Sequence, residues 1–253
     1  MVLLSFLVVT GCSRRDILDD YPVSGVEVRL DWSGVTEKLP EGVRIIFYQK
    51  EEKGRKIDTY LSVTGGEVKV PSGHYAVVIY NYDTETVLIR GEESYETIQA
   101  YTNFCKLGIA GTEKMVWGPD PLYVVNIDDL DIQNSEETLI LKLKPKLVIR
   151  TYSFSIKVQG LSNVSNVIGS IGGMADHYFL GKAYAMCDDY PINIDLNVKA
   201  GKIEGVFTTF GLPEAIITRL EIKLPVMMNL MIIKVDNSVQ EVKINITEAV
   251  QEP

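Results

Sequence analysis

The most specific chemistry in this chain belongs to Cys12, which closes the run Val9-Thr10-Gly11-Cys12: an aliphatic residue, two small ones, then a cysteine. That order matches the lipobox of exported bacterial lipoproteins, in which the thiol takes a diacylglyceryl group and the peptide is cut just before it. Thr10 and Gly11 are small enough to let the chain lie extended in a peptidase cleft. Val2 to Val9 is apolar except for Ser5; at about 8 residues it suits a signal-peptide core and falls far short of the roughly 20 that span a bilayer. Each buried acyl CH₂ contributes about 0.8 kcal/mol, so two or three such chains hold a protein firmly. Residues 1–12 are expected to be a lipoprotein signal with lipidation at Cys12. The competing reading is a buried N-terminal strand with an incidental cysteine. No basic residue precedes the apolar run, so the expected translation start lies further upstream.

The other reactive residue types are sparse. Lipidation would consume one of three cysteines, leaving Cys105 and Cys187. An oxidising envelope would permit a disulfide, but placement in different halves favours two buried free thiols, and no metal-type cysteine spacing occurs. His74 sits in Pro71-Ser72-Gly73-His74-Tyr75 and His177 follows Asp176; a solvated turn and a surface loop account for them. No Gly-x-Ser-x-Gly elbow, phosphate loop, dinucleotide fingerprint or His-Glu-x-x-His is present. Asp128, Asp129 and Asp131 could offer oxygen ligands to calcium, yet the glycine and distal glutamate of a known loop are missing, so a solvated acidic turn is the favoured reading. Asp188 and Asp189 are read as a shielding loop after Cys187. Trp32, Trp117 and Tyr123 could stack on a sugar. Trp32 falls on the apolar face of a strand and belongs to the core, leaving Trp117 and Tyr123 as the candidate ligand platform. The expectation is a protein that binds rather than catalyses, with no cofactor and no metal.

Positioning these residues falls to strands. Period-two alternation recurs along nearly the whole body: Val26, Val28, Leu30 and Trp32 against Glu27, Arg29 and Asp31; Leu139, Leu141 and Leu143; Phe154, Ile156 and Val158; Ile192, Ile194, Leu196 and Val198; Leu220, Ile222 and Leu224; Val242, Ile244 and Ile246. The apolar runs Tyr75–Tyr80 and Val226–Ile233 read as strands buried on both faces. Turn chemistry separates the runs at Leu39–Gly42, Thr64–Gly66, Pro71–Gly73 and Asp236–Asn237. Short helical pieces are expected only near Glu92–Ala100 and Pro213–Ile217. With 253 residues, 46% of them hydrophobic, there is room for one large domain or two of ordinary size. The strands exceed what one sandwich uses, and a break is natural at Lys144-Pro145-Lys146. The expected layout is all-β: residues 13–22 as a tether, 23–145 as an N-terminal β-sandwich and 146–253 as a C-terminal one. The net charge of −9 argues against nucleic acid or anionic lipid as the main partner, since both need a concentrated basic face.

Three local segments, together with the lipobox and the short charged stretch after it, carry a resemblance. They are Pro40-Glu41-Gly42-Val43-Arg44-Ile45-Ile46-Phe47-Tyr48, the stretch from Val70 to Glu85 with Pro-x-Gly-x-Tyr and Asn-Tyr-x-Thr in it, and Gly169-Ser170-Ile171-Gly172-Gly173-Met174-Ala175. In these the chain resembles the fimbrial-anchor lipoproteins of Bacteroides-type bacteria and a related uncharacterised lipoprotein family. The resemblance implies two tandem transthyretin-like (Ig-like) β-sandwiches and a place at the base of a type V pilus. It further implies a lipid anchor in the outer membrane and contacts with fimbrial or other envelope subunits by strand addition. The sequence departs from that group in Ser13-Arg14-Arg15-Asp16, where two arginines stand in place of the usual acidic run; this leaves the membrane face open. A surface lipoprotein that binds glycans through loop aromatics is the alternative function.

Overall fold

The computed structural model describes residues 23–51, 55–105, 114–199, 201–214 and 225–250. The lipobox and Cys12, the tether, and the strand expected at Leu220, Ile222 and Leu224 lie outside the described residues. The first half carries β1 (Val23–Leu30), β2 (Gly42–Gln49), β3 (Lys56–Ser62), β4 (Gly65–Pro71), β5 (Gly73–Asn81), β6 (Val87–Arg90), β7 (Gln99–Thr102), β8 (Phe104–Cys105), β9 (Met115–Val116), β10 (Tyr123–Ile132), β11 (Leu139–Leu143) and β12 (Lys146–Leu147). The second carries β13 (Arg150–Lys157), β14 (Val164–Gly172), β15 (His177–Phe179), β16 (Tyr184–Met186), β17 (Ile192–Lys199), β18 (Lys202–Thr209), β19 (Met227–Lys234) and β20 (Val239–Asn245), then one helical turn, α1 (Thr247–Val250). The fold is all-β and built from sandwiches.

In the first sandwich eight strands run in the order β11-β1-β4-β3-β2-β5-β10-β12. The ladder nearly breaks between β3 and β4, which meet only at Ser62 and Gly65. There Gly65 has φ +104°, and a Cβ would lie 2.0 Å from the Val28 carbonyl oxygen, so a side chain has no room. Past this corner the sheet folds over itself. Val26 and Val28 of β1, Val68 and Val70 of β4 and the leucines of β11 face Val43, Ile45, Phe47, Val77 and Ile79 of β2 and β5 across one core. Alternation in each strand supplies these inward rows.

The opposite face of β2 and β5 is also covered. Ile46, Tyr48, Ala76, Val78 and Tyr80 pack against Val87, Ile98, Ala100, Leu180 and Ala185. The covering layer is a four-stranded sheet in the order β16-β15-β7-β6, half from the first part of the chain and half from the second. Burial between two cores explains why Tyr75–Tyr80 is buried at every position. The segment read as helical near Glu92–Ala100 is instead a pair of turns that leads into β7. The Ser94 carbonyl accepts from Thr97 N and Ile98 N, and the chain then extends to place Ile98 and Ala100 in this second core. Of the helix expected at Pro213–Ile217, only Pro213 and Glu214 are described, and neither is helical.

The second sandwich places β13-β18 and the C-terminal part of β17 over β14, β19, β20 and the N-terminal part of β17. Ile192–Ile194 pair with β14, while Asp195–Lys199 pair with β18, so β17 bends from one layer into the other. Val226, Met228 and Leu230 fill its core with Ile171, Met174 and Phe207. Met227, Asn229 and Met231 between them are half-buried, so the run Val226–Ile233 has only one covered face, contrary to the expectation of two. The β19–β20 hairpin lies at the margin of its sheet. The first half also reaches into this core: β9 pairs in parallel with β17 through Val116 and Ile192.

Candidate functional site

Residues singled out for chemistry are dispersed by the fold. Trp117 is 42% exposed on a loop held by Thr102, whose hydroxyl donates to the Trp117 carbonyl, and by Asp120, whose carboxylate accepts from Glu85 N and Thr86 N. Tyr123 is 6% exposed, and its ring meets Trp32 edge-on at 5.3 Å. It is a packing residue, so Trp117 and Tyr123 do not form a shared platform. Trp32 itself packs on the first core and donates its indole N–H to the Val63 carbonyl.

Asp128 and Asp129 form a β-bulge in β10 between Ile127 and Leu130, and a bulge turns consecutive side chains out of alternation. Asp128 accepts from the Tyr95 hydroxyl at 3.0 Å, whereas Asp129 accepts from Lys50 Nζ at 2.9 Å. Their carboxylates serve separate partners and do not converge as calcium ligands. The Lys50 hydrogen bond holds Asp129 below the usual carboxylate range. His74 is exposed beside Asp129 and Asp131, as a solvated residue should be.

His177 differs from its sequence reading. It is not on a surface loop but in β15, 4% exposed, with Nδ1 2.6 Å from Asp176 Oδ1. A carboxylate only accepts, so the proton sits on Nδ1. Asp176 Oδ2 accepts from Asp188 N at 2.9 Å and Tyr190 N at 3.4 Å, which ties the loop after β16 to the start of β15. The trio Asp176, His177 and Asp188 brings its ligand atoms within 4.8 Å of one another. Asp176 is already spent on these bonds and Arg90 stands 3.7 Å from Asp188, so the geometry is that of a structural clasp on the shared sheet. Cys105 is buried and Cys187 half-buried, both free thiols; burial pushes the Cys187 thiol up to about 11 and keeps it protonated and unreactive at neutral pH.

Sequence reasoning missed a second charged cluster. Arg44 lies on β2 with Ile46 and Tyr48, on the face that meets the shared sheet. Its Nη1 donates to Tyr80 Oη at 2.9 Å and Glu92 Oε1 at 3.0 Å, and its Nη2 donates to Glu92 Oε2 and Asp58 Oδ2, both at 2.8 Å. Lys56 Nζ adds a contact to Glu92 at 3.5 Å. Arg44 holds Glu92 below its ordinary range, while burial pushes the Tyr80 phenol up to about 12. The signal was there to read: an arginine in phase with the apolar residues of an alternating strand.

Among the strands that end their sheets with an unpaired side within the described residues are β11 and β20. β11 pairs only with β1 and β20 only with β19. Leu139, Leu141 and Leu143 on the first, and Val242 and Ile244 on the second, are only half-buried.

A family model described as "Domain of unknown function (DUF5119)" matches residues 11–195. The chain belongs to the DUF5119 family. Among its relatives is a Bacteroides ovatus protein named as a proposed fimbrium anchoring subunit, Fim4B, 52% identical over 99% of this chain and 78% of its own length. The crystal structure of a proposed adhesin from Bacteroides ovatus is 52% identical and superposes with TM-score 0.86 over 96% of this chain and 89% of that one. The fimbrial anchor protein Mfa2 of Porphyromonas gingivalis shares the fold at 13% identity, with TM-score 0.57 over 90% and 83% of the two chains. The architecture of this DUF5119 protein is thus that of the fimbrial anchor proteins.

Proposed function

We propose that this protein is a membrane-tethered, non-catalytic structural subunit that anchors or caps a fimbria-like assembly. The observation that carries the reading is the near full-length match, at 52% identity, to a protein named for fimbrium anchoring. In this reading Cys12 carries the acyl chains, residues 13–22 form the tether, and the body from 23–145 to 146–253 hangs from the outer membrane. Partner subunits attach by strand addition, in which backbone hydrogen bonds supply affinity and alternate side chains fill pockets. The free sides of β11 and β20 favour such contacts, because their half-buried leucine, valine and isoleucine rows leave apolar area that a docked strand would cover.

Two measurements test it. Labelled palmitate should enter the protein and be lost in Cys12→Ala; an unlabelled protein with an intact N-terminus would refute the anchor. Pull-down from outer membranes should recover a pilin-type subunit, and deletion should change the length or retention of surface fibres. Recovery of no such subunit, with unchanged fibres, would overturn the assembly role.

A further inference from the structure

The Arg44 cluster is a wall of a cavity, and its other wall is aromatic. Cross-strand pairing sets Tyr60, Arg44 and Tyr80 in one row across β3, β2 and β5. Tyr60 is 60% exposed, and Tyr82 beyond β5 is 44% exposed. The two rings meet edge to face at 5.2 Å, with the Arg44 guanidinium 5.8 Å from the centre of the Tyr60 ring. Tyr82 lies against Gly42, where a Cβ would come within 2.8 Å of its hydroxyl, so the glycine is what lets this ring settle on the strand. Between these walls is a cavity of about 190 Å³ lined by Tyr60, Tyr80, Tyr82, Arg44, Glu92 and neighbours.

We infer that this cavity is a binding subsite for one neutral sugar ring of an oligosaccharide. Its volume is below the roughly 300–1,000 Å³ of pockets that hold drug-sized ligands, which limits the occupant to about one ring. The charges around it cancel: Arg44 and Lys56 face Asp58 and Glu92. A charged ligand would have to displace one of these partners and leave a half-buried charge uncompensated. A hydroxyl-bearing neutral ligand both donates and accepts, so it can join the existing ladder without breaking it. The exposed tyrosine faces supply the apolar surface on which the C–H side of a pyranose rests. Arg44 Nε, buried and without an acceptor, marks the ladder as incomplete. The site does not depend on the anchor reading, and it is separate from Trp117, which stands on a different loop and lines no part of this cavity.

The test is titration calorimetry with neutral hexasaccharides (gluco-, manno- and galacto-series) and an anionic galacturonate hexamer. At least one neutral chain should bind. Affinity should fall roughly tenfold or more in Tyr60→Ala and in Tyr82→Ala, stay near wild type in Tyr60→Phe, and stay unchanged in Trp117→Ala. Both tyrosines are solvent-exposed, so circular dichroism of the variants should match wild type, which separates lost binding from lost fold. Failure of every neutral chain to bind, preference for the anionic hexamer, or loss on Trp117→Ala with retention in Tyr60→Ala would each overturn the assignment.

Discussion

Leu180 tests whether the two halves are welded. It follows β15, in the second half of the chain, is fully buried, and packs in the core formed on the outer face of β2 and β5. Its backbone N–H donates to the Ile98 carbonyl at 3.0 Å, so it is pinned to a segment of the first half. Leu180→Ala removes three carbons; at about 0.8 kcal/mol per methylene the lost transfer free energy is about 2.4 kcal/mol. The cavity left behind raises the loss into the range of about 2–5 kcal/mol. With a urea slope of about 3 kcal/mol/M, suited to a chain of this size, a loss of about 3 kcal/mol moves the midpoint by about 1 M. The assay uses fluorescence of Trp32, which sits in the first sandwich, in a Trp117→Phe background that leaves one emitter, since the chain has two tryptophans. If the shared sheet couples the halves, Trp32 reports the full shift and coincides with far-ultraviolet circular dichroism. A Trp32 midpoint that stays in place, with only part of the dichroism signal moving early, would refute the coupling.

Acid should weaken the Arg44 cluster. Glu92 has a lowered pKa in the folded state, chiefly through its hydrogen bond from Arg44; its contribution is therefore present above the unfolded value of 4.5 and lost as pH falls through the lower folded value. Urea midpoints between about pH 3 and 6 should fall more steeply for wild type than for Glu92→Gln, and equal slopes would contradict this. Asp176→Ala removes the acceptor for buried His177 and for two backbone N–H groups, so it should destabilise by about 1–3 kcal/mol for each buried donor left unsatisfied, read as a clear drop in Tm. Gly65→Ala must place a methyl within 2.0 Å of the Val28 carbonyl oxygen at φ +104°. It should lose more than the roughly 1–2 kcal/mol of left-handed strain alone; an unchanged Tm would mean that the β3–β4 corner relaxes freely.

The local pattern decided the class of structure. Alternation at Val26-Val28-Leu30 and at Ile192-Ile194, with glycine turns between runs, leaves each strand one apolar face to hide, and that is legible without coordinates because a strand's period is a property of its backbone. Tyr75–Tyr80 likewise announced a strand covered on both sides. Tertiary structure decided which surfaces meet. Val87–Arg90, Gln99–Thr102, His177–Phe179 and Tyr184–Met186 are too short to carry a readable period, yet they join into one sheet across about a hundred residues of chain. Their pairing buried His177, while packing against Trp32 in the first sandwich took Tyr123 out of the expected aromatic platform. The fold also gathered Arg44, Asp58 and Glu92 around a cavity that no linear spacing foretells. Pairing partners depend on long-range backbone geometry and on cores shared between distant segments. Residue order alone records which faces must be covered, while only the folded chain settles what covers them.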